Sequence, residues 1–282
     1  MNSKLIADAG STNIEWTLIG AGGDVIQSLV TEGVNALLSS KEDIERVFKK
    51  ARGMLLSDFI VEEIHYYGAG CATHCICDKV MSSLLSVWKD ASCVIKSDLL
   101  AAARSLLFDK KGIVCILGTG SNSCLYDGKD IVAQIPSLGY VLGDEGSGAA
   151  LGKRLIGDIY KKQLPDDICQ KFMDEYNLTL ADLLDKVYRE QFPNRFMASF
   201  VPFIYRNISD ISIHAIVLNE FTSFLKRNVA MYVDARSLEI CFTGSVAFYF
   251  ENILREASSH FGYNVTDVTQ NPMEGLIRYH TL

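Results

Sequence analysis

One signature appears twice in this sequence: an apolar strand-like run, a turn of small and hydroxylic residues, and a second strand-like run that doubles back. The first copy spans Lys4–Trp16, with Asp8-Ala9-Gly10-Ser11-Thr12-Asn13 at its turn, and the second spans Gly112–Leu125, with Leu117-Gly118-Thr119-Gly120-Ser121-Asn122. Glycine lets such a turn adopt positive φ and come close to a ligand. Successive main-chain N–H groups in a turn of this kind form a concavity for anions. A single copy reads equally well as a plain hairpin turn. Two copies in one chain predict two jaws on one polyphosphate.

The residues around each copy repeat the same order of elements. In the first half the pattern predicts strands over Lys4–Asp8, Ile14–Ile19 and Asp24–Val30, the last two joined by the glycine-rich turn Gly20–Gly23. A helix follows over Ser40–Leu56, where Ile44, Val47, Phe48 and Ala51 recur at helical spacing. Then come a strand at Glu63–Tyr67, a helix at Asp78–Lys89, a strand at Ser92–Lys96 and a helix at Leu99–Leu107. The second half predicts strands at Ile113–Leu117, Ser123–Tyr126 and Asp130–Ile135, then a helix over Ala149–Lys161 and a largely helical region to about Tyr232. A strand at Leu238–Phe242 runs into Gly244-Ser245 and another helix, and a short helix closes the chain after Asn271-Pro272. A duplicated βββαβα order calls for an α/β architecture with two sheets. The junction is expected at Asp109–Gly112, giving domains 1–109 and 110–282 with a ligand cleft between them.

Composition narrows the function classes. The 282 residues are 49% hydrophobic and 22% charged, the balance of an ordinary folded protein, and long enough for two modest cores. A formal net charge of -7 argues against nucleic acid as a partner, because that binding rests on phosphate attraction. No apolar run approaches the roughly 20 residues that span a bilayer, and the chain passes directly from Met1-Asn2-Ser3-Lys4 into a strand. No membrane partner and a cytoplasmic location are therefore expected. Of eight cysteines, Cys93, Cys115, Cys124 and Cys241 sit in apolar strand contexts as small hydrophobes. Cys71, His74, Cys75 and Cys77 carry ligand types that suit zinc or an iron–sulfur centre, yet their spacing matches no paired knuckle. The preferred reading of that cluster is a helix start after a strand.

Four motifs together resemble the actin/hexokinase superfamily of nucleotide-binding proteins: Asp8-Ala9-Gly10-Ser11-Thr12, Leu117-Gly118-Thr119-Gly120-Ser121-Asn122, Gly143-Asp144-Glu145-Gly146-Ser147-Gly148 and Thr243-Gly244-Ser245-Val246-Ala247. Within it the chain is similar to the BadF/BadG/BcrA/BcrD ATPase family, which includes the N-acetylglucosamine kinases. The resemblance covers nearly the whole chain and implies two ribonuclease-H-like, actin-like ATPase domains. It implies ATP and Mg²⁺ as cofactors, with Asp8 and Asp144 acting on the metal through water, in keeping with the few carboxylates that Mg²⁺ takes. Gly10, Ser11, Thr12, Asn13, Gly118, Thr119, Gly120 and Ser121 would hold the phosphates, and Gly244 and Ser245 the adenosine. Asn13-Ile14 departs from the Lys-Thr frequent in the family, which bears on Asn13 and not on Asp8. Outside the resemblance, Asp8 reads as a turn-closing side chain and Asp144 as an acid favoured at a helix N-terminus.

The same resemblance implies a sugar kinase, with an amino sugar, N-acetylglucosamine at its 6-hydroxyl, as the small-molecule partner. Asp98 resembles the base that deprotonates the acceptor hydroxyl; its spacing alone favours a helix N-cap. Asn35, Asn122, Gly139 and Tyr140 would face the sugar together with Asp98, Thr119 and Asp144. The chain lacks the E-x-G-H motif and zinc loop of the ROK sugar kinases. An ATP-driven dehydratase activator of the same family is the alternative, although the Cys71/Cys75/Cys77 context does not resemble its cluster-binding pair. The third reading is a sugar-sensing regulator, for which no helix-turn-helix extension is present. The apolar stretch Phe196–Tyr205 reads as core, with a homodimer surface as the other option.

Overall fold

The computed structural model describes residues 2–282 apart from Ala72, and for Asn2 the backbone alone. The chain forms two compact units: the first ends at Asp109 and regains Pro272–Leu282, and the second is Lys110–Asn271. The closing segment thus belongs to the first unit, which corrects the expectation of a second domain running unbroken to 282.

The first unit holds β1 (Asn2–Ala9), β2 (Asn13–Gly20), β3 (Val25–Glu32), β4 (Ile60–Gly68) and β5 (Ser92–Ser97) in the order β3-β2-β1-β4-β5. The second holds β6 (Gly112–Leu117), β7 (Ser121–Tyr126), β8 (Ile131–Ile135), β9 (Glu239–Thr243) and β10 (Asn264–Thr269) in the order β8-β7-β6-β9-β10. In each, three strands form an antiparallel meander and two more add in parallel beside the first. The two halves share one topology.

Burial on both faces of the central strand explains its unbroken apolar run. Leu5, Ala7 and Ala9 of β1 enter a core with Trp16, Phe48 and Tyr66. Ile6 enters a second core on the other face, with Ile19, Tyr67, Ala101, Met273 and Leu276. The helix Lys41–Met54 supplies Ile44, Val47, Phe48 and Ala51 to the first core and is capped by Ser40, whose hydroxyl accepts the Asp43 N–H. Between β8 and β9 the second unit carries a long helical insertion, Gly148–Tyr160 through Ile211–Arg227, where the first unit has a single helix at the corresponding point. Within it Met197, Phe200, Phe203 and Ile204 are buried and Tyr205 is exposed, so the stretch Phe196–Tyr205 is mostly core.

Two sequence expectations shift. The helix expected at Asp78–Lys89 runs from His74 to Val87, so His74, Cys75 and Cys77 lie in its first turn. The strand β10 carries no clear pattern, because Asn264–Thr269 pairs on one side only and offers just two valines. All eight cysteines are free thiols, and no helix among the described residues is long and apolar enough to cross a membrane.

Candidate functional site

In the first unit, the turn between β1 and β2 is closed by the Gly10 N–H donating to the Asn13 carbonyl at 3.0 Å. It is pinned from below by the chain leaving β3. The Gly33 N–H donates to the Thr12 carbonyl at 2.8 Å, and the Val34 N–H to the Gly10 carbonyl at 3.2 Å. The approach is so close that a Cβ on Gly33 would stand 2.4 Å from the Thr12 carbonyl carbon and 2.5 Å from the Asn13 nitrogen. Asn35 continues the same brace: its amide donates to the Ser11 hydroxyl at 3.3 Å, and its oxygen accepts the Leu37 N–H at 3.1 Å. Gly10, Ser11, Thr12, Asn13 and Asn35 therefore form one fixed assembly.

Beside this turn stand three carboxylates. Asp8 of β1 pairs directly with Glu15 of β2 across the antiparallel ladder, so both side chains share one face of the sheet. Asp98, at the first position of the helix Asp98–Leu107, is near enough for its charge to act on Asp8. Burial, then the Asp98 charge, then the Glu15 charge push Asp8 up to about 7. Burial also raises Glu15 and Asp98, the latter against the stabilising Leu99 N–H that donates to its Oδ1 at 2.8 Å. Like charges gathered out of water hold protons more tightly and are relieved by a cation. The N-cap of this helix is Ser97, whose hydroxyl accepts the Leu100 N–H at 3.2 Å. The capping role that spacing gave to Asp98 thus belongs to its neighbour.

In the second unit, Gly118 donates to the Gly120 carbonyl at 2.9 Å to close the equivalent turn. The first two amides of the helix Gly148–Tyr160 pin it, Gly148 N–H to the Gly118 carbonyl at 2.8 Å and Ala149 N–H to the Thr119 carbonyl at 3.1 Å. Asp144 lies against its outer edge: its Oδ1 accepts the Ser121 N–H at 3.2 Å, and a Cβ on Gly120 would meet its Oδ2 at 3.1 Å. Asp144 sits outside the helix, in a left-handed conformation at φ 59°, and the helix cap is Ser147. Burial raises Asp144 to about 6, against the pull of the Ser121 N–H. Gly244, at φ 112°, passes directly under the turn, where a Cβ would stand 2.3 Å from the Leu117 carbonyl oxygen. Thr119, Gly120, Ser121, Asp144 and Gly244 are thus brought together, with Ser245 exposed at the start of the next helix.

Other expected residues lie further along these elements. Asn122 is on β7 rather than in the turn, and its side-chain oxygen accepts from the Ser123 N–H and from Gln134 on β8, each at 3.0 Å. Gly139 and Tyr140 open a four-residue helix on the arm that leads to Asp144, and the Tyr140 carbonyl accepts from Lys153 at 3.3 Å. Three supports escaped the sequence reading. Glu15 follows Asp8 by strand register alone. Gly33 reveals its place only when β3 is seen to return under the turn. The helix Ile211–Arg227 steadies the loop after Asp144, with Arg227 paired to Glu145 and Glu220 accepting the Gly146 N–H at 3.3 Å.

Oxygen donors of this kind suit a hard cation such as Mg²⁺, which takes one or two carboxylates and keeps its waters. Among the described residues no three His, Cys, Asp or Glu side chains converge as a metal-ligand set.

No family model and no curated protein matches the chain. Among solved structures, it is 41% identical over 98% of both chains, with a TM-score of 0.92, to a candidate N-acetylglucosamine kinase from Porphyromonas gingivalis. It is 16% identical over 98% of both chains, with a TM-score of 0.76, to another such candidate from Chromobacterium violaceum. A ROK-family glucokinase from Streptomyces griseus, solved with glucose and AMPPNP, is 13% identical over 98% of this chain and 97% of its own, with a TM-score of 0.53. The last two likenesses establish the duplicated actin-like fold, and the first establishes kinship.

Proposed function

This chain belongs to the N-acetylglucosamine kinase-like branch of the BadF/BadG/BcrA/BcrD ATPase family, and from that premise we propose that it uses ATP and Mg²⁺ to phosphorylate an amino sugar. N-acetylglucosamine, at its 6-hydroxyl, is the first candidate. The observation that carries this reading is the carboxylate of Asp98 beside Asp8, left free of capping duty by Ser97. Asp98 accepts the proton of the attacking sugar hydroxyl. Its burial strengthens it as a base, since an ionised carboxylate in that setting gains by taking up a proton.

The turns 10–13 and 118–121 take the phosphates of the nucleotide through their main-chain and hydroxyl donors. Gly244 and Ser245 take the adenosine, and Asn35 the sugar hydroxyls. Asp8 and Asp144 are the carboxylates that would act on Mg²⁺, and the metal would supply charge neutralisation for the phosphates. Phosphoryl transfer needs mostly positioning and charge stabilisation, so a braced turn and one well-placed base suffice.

The test is ADP release by the purified protein with a panel of hexoses and hexosamines. N-acetylglucosamine is expected to raise turnover far above the sugar-free rate. Asp98→Asn is expected to lower that turnover by about 10²- to 10⁴-fold, with ATP affinity intact. Turnover that no sugar stimulates overturns the proposal.

A further inference from the structure

The helix Asp98–Leu107 is gripped by the last helix of the chain, Met273–Thr281, at several points. Gly275 lies against Ser105 so closely that a Cβ there would stand 2.3 Å from the Ser105 carbonyl oxygen and 2.7 Å from its Cβ. Glycine inside a helix costs about 1 kcal/mol relative to alanine, and here it permits a contact that no other residue allows. Met273 and Leu276 are buried with Ala101 and Tyr67. The Arg104 guanidinium stacks 5.1 Å from the Tyr279 ring centre, and that of Arg278 5.1 Å from the Phe108 ring. The Tyr67 hydroxyl joins the pair, accepting from Arg104 at 3.0 Å and bonding His280 Nε2 at 2.8 Å. On its own strand Tyr67 is the register partner of Asp8.

We propose that Gly275 is a positioning residue for Asp98: the close contact at Ser105 sets the tilt and depth of the helix whose first residue is Asp98. The inference rests on the kinase reading above. Ser105 and Asp98 are about two helical turns apart, roughly 10 Å along one rigid element. A side chain at 275 forces the two helices apart by about 1 Å, because a carbon and an oxygen in contact stand near 3.4 Å. A displacement of that size at a reacting group costs on the order of 100-fold in rate.

The experiment compares Gly275→Ala, Gly53→Ala and Tyr279→Leu with the unaltered enzyme, reading kcat and the KM values for sugar and ATP. Gly53 is a helical glycine of the same unit with open space where its Cβ would go, so the same substitution there controls for the loss of a glycine. Gly275→Ala is expected to lower kcat on the order of 100-fold with the KM for ATP within about twofold. Gly53→Ala is expected to change neither. Tyr279→Leu removes the stack on Arg104 that holds the two helices together at the glycine contact, and is expected to lower kcat several-fold without moving the KM for ATP. A folded Gly275→Ala enzyme with unchanged kcat, or with kcat and ATP affinity lost in step, overturns the proposal. Should that variant fail to accumulate in folded form, Tyr279→Leu decides, and an unchanged kcat there overturns it too. If the unaltered protein phosphorylates no sugar, it is the kinase reading that has failed.

Discussion

The two units share a strand order yet place their acids differently. In the first, the carboxylate precedes the turn on the central strand itself, at Asp8. The corresponding position before the second turn, two residues ahead of Gly118, is Ile116, and the acid arrives instead from outside, as Asp144 on a strained loop. Likewise Glu15, cross-strand partner of Asp8, has its counterpart in Asn122, partner of Ile116. What the units keep in common is the brace: a glycine pressed under each turn, Gly33 in one and Gly244 in the other. The comparison teaches that the backbone shape of the turn is the retained quantity. Charge is supplied from whichever element is at hand.

The strongest way to break that comparison is to add a methyl group to each brace. Gly33→Ala and Gly244→Ala both place a Cβ within 2.4 Å of main-chain atoms, and Gly244 adds the penalty of a positive φ. Each is expected to cost about 3 kcal/mol or more, read as a fall in melting temperature and as loss of nucleotide protection of its own turn in hydrogen exchange. If either variant melts like the unaltered protein, the brace is not shared.

Next in size is the pH dependence of the two acids. Asp8 has a folded value of about 7 and Asp144 of about 6, both above the unfolded value of 3.8. A raised carboxylate binds its proton more tightly when folded, so its stabilising effect is present at low pH and is lost as pH rises. For Asp8 the loss runs from about pH 4 to 7, and for Asp144 from about pH 4 to 6. Asp8→Asn should therefore stabilise the ligand-free protein at pH 8 by roughly 4 kcal/mol and Asp144→Asn by roughly 3, gains that shrink toward pH 4. His65 and His280, which burial holds neutral, act oppositely and lose stability as pH falls below about 6.5. The difference between variant and unaltered protein isolates each acid from that background. Equal gains for the two acids, or a gain that grows at low pH, would contradict the assignment.

The smallest effect separates neighbours. Ser97→Ala removes the helix cap and should cost about 1 kcal/mol in stability. The Asp98→Asn variant should melt no lower than the unaltered protein despite its catalytic loss, and higher at alkaline pH, because burial disfavours the Asp98 charge and that charge in turn burdens Asp8. Thermal melts of the two side by side settle which residue caps and which reacts.

The strands and turns were legible because their signals are local. An apolar run that ends in Gly-Ser-Thr or Gly-Thr-Gly announces its own geometry, and the helix Lys41–Met54 announces itself by Ile44, Val47, Phe48 and Ala51. Asp98 could be picked out, but that Ser97 and not Asp98 caps the helix needed the structure, since both suit a helix start. Glu15 escaped because its meaning depends on cross-strand register, and Gly33 because its meaning depends on which turn it lies beneath. The docking of Met273–Thr281 on Asp98–Leu107 joins residues more than 160 positions apart, and no short window of sequence carries that contact. Strand β10 was hidden for another reason: an edge position buries little, so its residues keep a polar mixture.

The route of the chain also sets a schedule for its birth. Ile6, Tyr67 and Ala101 receive their cover from Met273 and Leu276, which the ribosome adds only after all of Lys110–Asn271 has been made. Until then a greasy patch on the earlier half stays bare, open to chaperones or to a neighbouring nascent chain. The half translated first is therefore the half finished last.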